Sequence, residues 1–236
     1  ISVKGRVVNQ TSGKDLLRRD IFRKTDSLIF ESEAGRLALI DHRKQSFIAK
    51  PDKNAPSGYR LEPLQARVST RPGKILNYLA FRQFLEGRRL LAIGDTLTLE
   101  ITDETFAMNN DSFFYMQYRW SREPEPVNKR LGFSGKLLFF DKKNLFNVDG
   151  HSIDPAETSA YTLYYYNSLA GTSTLINTFN LVFCDESTLR AEIDVIIGNF
   201  APDVPKEQSR NAAIQYIENE YGEPVRSDLD LWLRRH

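Results

Sequence analysis

The 236-residue chain has the composition of an ordinary globular protein, with 41% hydrophobic and 27% charged residues. Its length suffices for one large domain or two small ones with a sizeable core. No run of about 18 apolar residues is present, so we expect a soluble protein without a membrane span. The chain begins at Ile1 without a signal-peptide pattern. A cytoplasmic protein and an exported protein whose signal has been removed are both compatible with it.

Charge is distributed unevenly, although the formal net charge is only +1. Residues 1–100 contain 19 Lys and Arg against 11 Asp and Glu, a net charge of +8, whereas residues 101–236 contain 13 against 20, a net charge of −7. This asymmetry is typical of an N-terminal half that faces a polyanion, or of two regions that attract one another or a partner. Scattered solvated charge is the alternative. The basic residues of this hypothesis are dispersed: Arg18, Arg19, Arg23, Lys24, Arg43 and Lys44.

The first 50 residues contain short apolar segments separated by polar turns, which is typical of a small β barrel or sandwich. Residues 51–72 contain four prolines. Proline and glycine favour irregular surface chain, so this stretch is predicted to be a linker. We therefore predict three parts: a β-rich module at 1–50, a linker at 51–72, and a domain at 73–236.

The predicted second domain begins with a helix over residues 73–86, where apolar residues recur at helical spacing. Residues 89–101 are predicted to form a hairpin around Gly94 and Asp95. Further strands are expected at 112–120 and 127–140. Two strands at 161–183, joined by a turn at Ala170-Gly171, complete an antiparallel sheet.

An amphipathic helix is predicted to follow directly from Asp185 and to cover this sheet. In the strand before it, alternation places Leu175 and Phe179 on the covered face. We expect Ile193→Asp to unfold the domain and Glu192→Ala, off the apolar stripe, to be nearly silent. The stripe has the spacing i, i+4, i+7, i+8 and consists of Leu189, Ile193, Ile196 and Ile197.

Two further helices, over about 206–221 and from about 227 onward, are predicted at the C-terminus. The predicted fold class is therefore α+β: an N-terminal β-rich module followed by an antiparallel sheet covered by C-terminal helices.

Residues that carry chemistry are few. The single cysteine, Cys184, ends an apolar strand and is expected to be a buried, unreactive thiol. The three histidines lie outside any spaced metal or catalytic motif. Glu31 and Glu33, two apart on a predicted strand, would place two carboxylates on one face as in a hydrolase, with a solvated edge beside Arg36 as the alternative. We predict no catalytic residue, no metal site and no cofactor.

Aromatic residues are the most distinctive feature, with 15 Phe, 10 Tyr and 2 Trp. If Tyr164 and Tyr166 lie on a solvent-facing side of their strand, they could stack on bases or sugars. The alternative is that they cover a neighbouring element. The leading functional hypothesis is a non-enzymatic binding or adaptor protein that contacts another protein, with a homo-oligomer as one form. Polyanion or carbohydrate binding by the basic half, and a hydrolase with an unrecognised carboxylate site, are the alternatives.

Overall fold

The computed structural model describes residues 2–17, 20–41, 45–64, 74–75, 77–86, 89–200 and 204–234. The fold class is α+β, as predicted, because mostly antiparallel sheets are combined with helices concentrated near the C-terminus. In this described part of the chain, no helix has the length and apolar character that crossing a bilayer requires. The chain divides into two compact units, Ile1–Val68 with Ser187–Asn219, and Ser69–Glu186 with Glu220–His236.

Short strands dominate the chain up to residue 184. The strands are β1 Ser2–Lys4, β2 Val7–Asn9, β3 Lys14–Asp15, β4 Leu28–Phe30, β5 Arg36–Ile40, β6 Ser46–Pro51, β7 Tyr59–Pro63, β8 Lys74–Ile75, β9 Arg89–Ile93, β10 Thr96–Ile101, β11 Ser112–Tyr118, β12 Val127–Arg130, β13 Gly132–Ser134, β14 Leu137–Asp141, β15 Asn147–Val148, β16 His151–Ser152, β17 Tyr161–Asn167, β18 Thr172–Cys184 and β19 Glu223–Pro224. The helices are α1 Tyr78–Leu85, α2 Lys142–Leu145, α3 Glu186–Gly198, α4 Lys206–Glu220 and α5 Arg226–Arg234.

The first unit contains two antiparallel sheets, with strand orders β3-β2-β4 and β1-β5-β6-β7. Their alternating apolar residues form one buried cluster, which includes Val7, Leu28, Leu37 and Ala49. Residues 59–63 of the predicted linker are strand, because β7 pairs with β6. Residues 65–72 of that stretch lie outside the described residues, and the predicted domain boundaries stay a prediction.

The second unit is built on a six-stranded sheet of order β12-β11-β17-β18-β9-β19, in which β9 runs parallel to β18 and β19. A four-stranded sheet, β13-β14-β10-β8, contributes to the same core. Helix α1 packs on this core through Phe81 and Phe84, and the side chain of Asn77 caps its first turn by accepting a hydrogen bond from the Ala80 N–H at 2.8 Å.

The hairpin predicted at residues 89–101 is wrong, although both of its strands exist. β9 belongs to the six-stranded sheet, whereas β10 pairs with β14 and β8 in the four-stranded sheet. The Gly94 N–H donates to the Cys184 carbonyl at 2.8 Å, and the Asp95 carbonyl accepts from the Lys142 N–H at 2.9 Å. The turn therefore joins two sheets, and a local turn signal does not distinguish this corner from a hairpin.

The hairpin of β17 and β18 forms as predicted, but a bulge changes which side chains face the core. The pairing shifts between Leu163 and Tyr164, where Ile176 is the extra residue on β18. Ile176 is completely buried and Leu175 is 49% exposed, which reverses the predicted alternation at this point. Beyond the bulge, Phe179 is again on the buried side.

Helix α3 presents a different face to the protein interior from the predicted one. Leu189, Ile193 and Ile196 are buried as expected, but Ile197 is 40% exposed. Glu192, predicted to lie off the stripe, is only 3% exposed. The buried face is thus rotated toward Glu192, whose carboxylate finds partners inside the first unit.

Candidate functional site

Two neighbouring strands of the six-stranded sheet carry aromatic side chains on both of their faces. On the core side, alternate residues of β11 and β17 are buried, as the sequence predicted. On the opposite side, four aromatic residues are half-buried and lie next to one another. We call this set the aromatic face; it consists of Phe113, Tyr115, Tyr164 and Tyr166.

Strand register arranges the aromatic face in two cross-strand pairs. Tyr115 lies opposite Tyr164, with ring centroids 5.1 Å apart and ring planes only 10° from parallel. Phe113 lies opposite Tyr166, with centroids 5.3 Å apart and planes tilted by 48°. Since these separations are close to the spacing of adjacent strands, the paired rings cover one another's sides.

The tyrosines of the core side all have hydrogen-bond acceptors or partners within the protein. Tyr118 donates to the Leu145 carbonyl at 2.6 Å, Tyr165 donates to the Ala107 carbonyl at 2.8 Å, and the Tyr161 hydroxyl lies 2.9 Å from that of Thr158. Burial raises the pKa of Tyr118 to about 12 and also raises the pKa of Tyr161. These tyrosines are structural.

The tyrosines of the aromatic face differ from those of the core side in the hydrogen bonding of their hydroxyls. Within the described residues, the hydroxyls of Tyr115, Tyr164 and Tyr166 have no hydrogen-bond partner, and none is among the buried polar atoms that lack one. Their hydroxyls are therefore accessible from outside. Three donors of this kind on one sheet face can satisfy acceptors of a bound molecule.

One end of the aromatic face is bordered by polar side chains from β12. The guanidinium carbon of Arg130 lies 4.1 Å from the ring centroid of Phe113, a cation–π contact, and its Nη2 donates to the Asn109 carbonyl at 3.1 Å. Farther along, Gln117 donates to Asn128 at 3.0 Å. The guanidinium is thus held in place beside the rings.

One exposed apolar residue, Leu175 of β18, extends the aromatic face by one strand and is 49% exposed. Leu175 lies opposite Tyr164, and its carbonyl accepts a hydrogen bond from the Tyr78 hydroxyl at 3.0 Å. Leu79, next in the chain, is 62% exposed, and the guanidinium of Arg82 lies 5.8 Å from the Tyr78 ring centroid.

The structure places only some of the predicted basic site residues. Arg18, Arg19, Arg43 and Lys44 lie outside the described residues. Arg23 and Lys24 are exposed in the turn before β4, where the Arg23 N–H donates to Asp26 at 3.0 Å and the Lys24 carbonyl accepts from Tyr59 at 3.2 Å. A basic site made of these six residues therefore stays a prediction.

A different set of cations, which the sequence did not single out, lines a cleft of about 420 Å³ in the first unit. Arg36, Lys50 and Arg60 come from neighbouring strands and Lys53 from the turn that follows β6. The hydrogen bond and the charge of Lys53 lower the pKa of Glu33, and the carboxylate raises the pKa of Lys53 in return. This cluster of cations could not be predicted from the sequence, because the pairing register of the strands, and not the spacing along the chain, brings these residues together.

Residues considered for chemistry occupy structural positions. Cys184 is buried, as predicted. Glu31 and Glu33 do not share a strand face, because β4 ends at Phe30 and both lie in the following turn. Glu31 accepts from the Arg6 N–H at 3.3 Å, whereas Glu33 pairs with Lys53.

No group of three or more His, Cys, Asp or Glu side chains that could hold a metal ion occurs in the described ranges. Comparison with known protein families and with curated proteins gave no match to this chain.

Proposed function

We propose that this chain is a non-enzymatic binding protein that contacts a protein partner through the aromatic face. One observation carries the proposal. The core tyrosines of β11 and β17 are bonded inside the protein, whereas those of the aromatic face, on the same two strands, have accessible hydroxyls without a partner among the described residues. Tyrosine combines a large rigid contact area with a polar tip, which suits a surface that alternates between water and a partner.

The composition of the surrounding surface supports a protein partner. Tyrosine and arginine are enriched among the residues that dominate the energy of protein–protein binding. The aromatic face supplies three tyrosines, Arg130 borders it, and Leu175, opposite Tyr164, adds an apolar side chain that is 49% exposed. Contiguous exposed apolar groups beside polar ones are typical of interaction surfaces.

Ring geometry makes stacking on bases or sugars a weaker explanation. Stacking requires a free ring side, and the near-parallel pair of Tyr115 and Tyr164 already covers one side of each ring. The compact unit that contains the aromatic face, residues 69–186 with 220–236, contains 15 Lys and Arg against 18 Asp and Glu, a net charge of −3, which does not attract a nucleic acid. Both observations favour a protein over a polyanion at this surface.

The hydrolase hypothesis stays an alternative with little geometric support, because the two carboxylates that suggested it bind different partners in a turn. Polyanion or carbohydrate binding by the basic half is a separate alternative, and it involves other residues.

Site-specific photo-crosslinking tests whether the aromatic face is occupied in the native host. A photoreactive phenylalanine analogue is placed at Tyr164 in one variant and at Leu137, an exposed apolar residue of β14, in the control. We expect one dominant protein adduct from position 164 and not from position 137. An adduct of twice the chain's mass would identify a second copy as the partner. Equal adducts at both positions, or none at 164, would contradict the proposal.

Removal of the three hydroxyls separates binding from folding. In the triple variant Tyr115→Phe, Tyr164→Phe, Tyr166→Phe the stacked rings remain, so the melting temperature should hardly change. Each hydrogen bond to a partner contributes about 0.5–1.5 kcal/mol, so affinity for the crosslinked protein should fall about tenfold or more. Unchanged affinity would show that the hydroxyls do not contact the partner.

A further inference from the structure

Cationic side chains follow one another across the four-stranded sheet of the first unit. The register of β6 and β7 places Lys50 directly opposite Arg60. The register of β5 and β6 pairs Leu37 with Ala49, which sets Arg36 beside Lys50 at the next position. Adjacent strands are about 4.8 Å apart, and like charges directly opposite one another destabilise a sheet. We call Arg36, Lys50 and Arg60 the cationic row.

The cationic row lines an open cleft rather than a flat surface. The cleft has a volume of about 420 Å³, and Lys53, Asp52 and Glu33 complete its charged lining. Small-molecule sites commonly have volumes of about 300–1,000 Å³. The unfavourable alignment of charge therefore coincides with a space that is large enough for a ligand.

One carboxylate is shared between two members of the cationic row. Glu62 contacts both cations, with Oε2 2.7 Å from the Lys50 Nζ and Oε1 3.2 Å from the Arg60 Nη2. Arg36 donates through Nη1 to the carbonyls of Glu33 and Gly35, at 3.0 and 2.8 Å, which fixes the position of its guanidinium at the cleft. The cations are therefore held in place before a ligand arrives, which lowers the cost of ordering them on binding.

The ion pairs at the mouth of the cleft are easily exchanged. The side chains of Lys53 and Glu33 are 83% and 80% exposed, and the Arg60 side chain is 60% exposed. Exposed ion pairs contribute little to stability, because water solvates both partners well when they are apart. A doubly charged anion can accept two hydrogen bonds from the Arg60 guanidinium in bidentate geometry, so it competes well with the carboxylates of these ion pairs.

We infer that this cleft is a binding site for a small molecule that carries a phosphate or sulfate group. The inference goes beyond the proposed function, since it concerns other residues in the other compact unit. A small ligand is favoured over a long polyanion because the Lys50 side chain is only 12% exposed, so a group must enter the cleft to reach it. The exposed carboxylate of Glu33 at the mouth repels an extended polyanion that lies on the surface.

Calorimetric titration of the full chain with pyrophosphate and with inorganic sulfate, each against sodium chloride at matched ionic strength, tests the inference. We expect saturable binding of one equivalent of pyrophosphate or sulfate and none of chloride; the two arms distinguish phosphate from sulfate ligands. Arg60→Gln should weaken binding about tenfold or more, since a hydrogen bond to a charged group contributes that much. Lys53→Gln should also weaken binding of the anion.

Arg6→Gln is the matched control, because Arg6 forms an exposed ion pair with Asp15 at 2.8 Å in the same unit but outside the cleft. It removes the same charge as Arg60→Gln and should leave the affinity unchanged. Equal weakening by both variants would show a general charge effect and overturn the inference. Binding of heparin without binding of either small anion would also overturn it, in favour of a polyelectrolyte surface.

Discussion

Replacement of Glu192 by alanine is expected to destabilise the first compact unit, although charged helix residues are usually replaceable. The Glu192 carboxylate accepts a hydrogen bond from the Tyr216 hydroxyl at 2.9 Å and forms an ion pair with the Lys4 Nζ at 3.2 Å. Removal of one partner from a buried ion pair costs about 3–5 kcal/mol. We expect about 3 kcal/mol, the lower end, because the Lys4 side chain is 27% exposed. That is a large part of a typical total stability of about 5–15 kcal/mol.

Urea unfolding followed by circular dichroism gives the free energy of unfolding of each variant. Asp194→Ala is the control, because Asp194 is exposed on the same helix and such changes usually stay within about 0.5 kcal/mol. Tyr216→Phe and Glu192→Gln, alone and combined, should show a coupling energy of about 0.5–3 kcal/mol. If Glu192→Ala destabilises no more than Asp194→Ala, the buried carboxylate does not stabilise the unit and the reasoning fails.

Three further predictions concern two buried side chains and the predicted domain boundaries. Ile193→Asp, at a position only 2% exposed, should cost about 3 kcal/mol or more and lower the melting temperature; an unchanged melting temperature would contradict this packing. Because burial raises the pKa of Tyr118 from 10.0 to about 12, stability present below pH 10 should be lost as the pH rises toward 12, and Tyr118→Phe should reduce this loss in pH-dependent unfolding experiments. Limited proteolysis should cut first within residues 51–72, and cleavage within 131–183 instead would refute the predicted boundaries.

Local patterns predicted those parts of the fold that neighbouring residues determine. Strict alternation in β11 and β17 identified their buried faces, and the same parity placed Tyr164 and Tyr166 on the opposite side. The bulge at Ile176 could not be predicted, because one extra residue inverts the alternation without a compositional signal. The corner at Gly94 and Asp95 uses the same residues as a hairpin turn, and only partners distant in sequence distinguish the two.

The candidate sites also depend on contacts between residues that are distant in sequence, and local patterns do not predict such contacts. The ring pair of Tyr115 and Tyr164 depends on the register between strands that are about 50 residues apart, which pattern reasoning does not supply. The buried position of Glu192 depends on Lys4 and Tyr216, which are far from it in sequence. A helical periodicity that counts only apolar residues therefore assigns this carboxylate to solvent.

The cations of the first unit have two different kinds of surroundings, one at the buried Glu192 and one at the open cleft. The register of β1 and β5 places Lys4 opposite Arg36, so Lys4 extends the row by one strand. Lys4 contacts a carboxylate that is buried and also bonded to Tyr216. Lys50 and Arg60, by contrast, line an open cleft and both contact the carboxylate of Glu62. Local conflicts such as like charges aligned across strands tend to mark functional positions, which is why we assign ligand binding to the residues of the row that line the cleft and a structural role to Lys4.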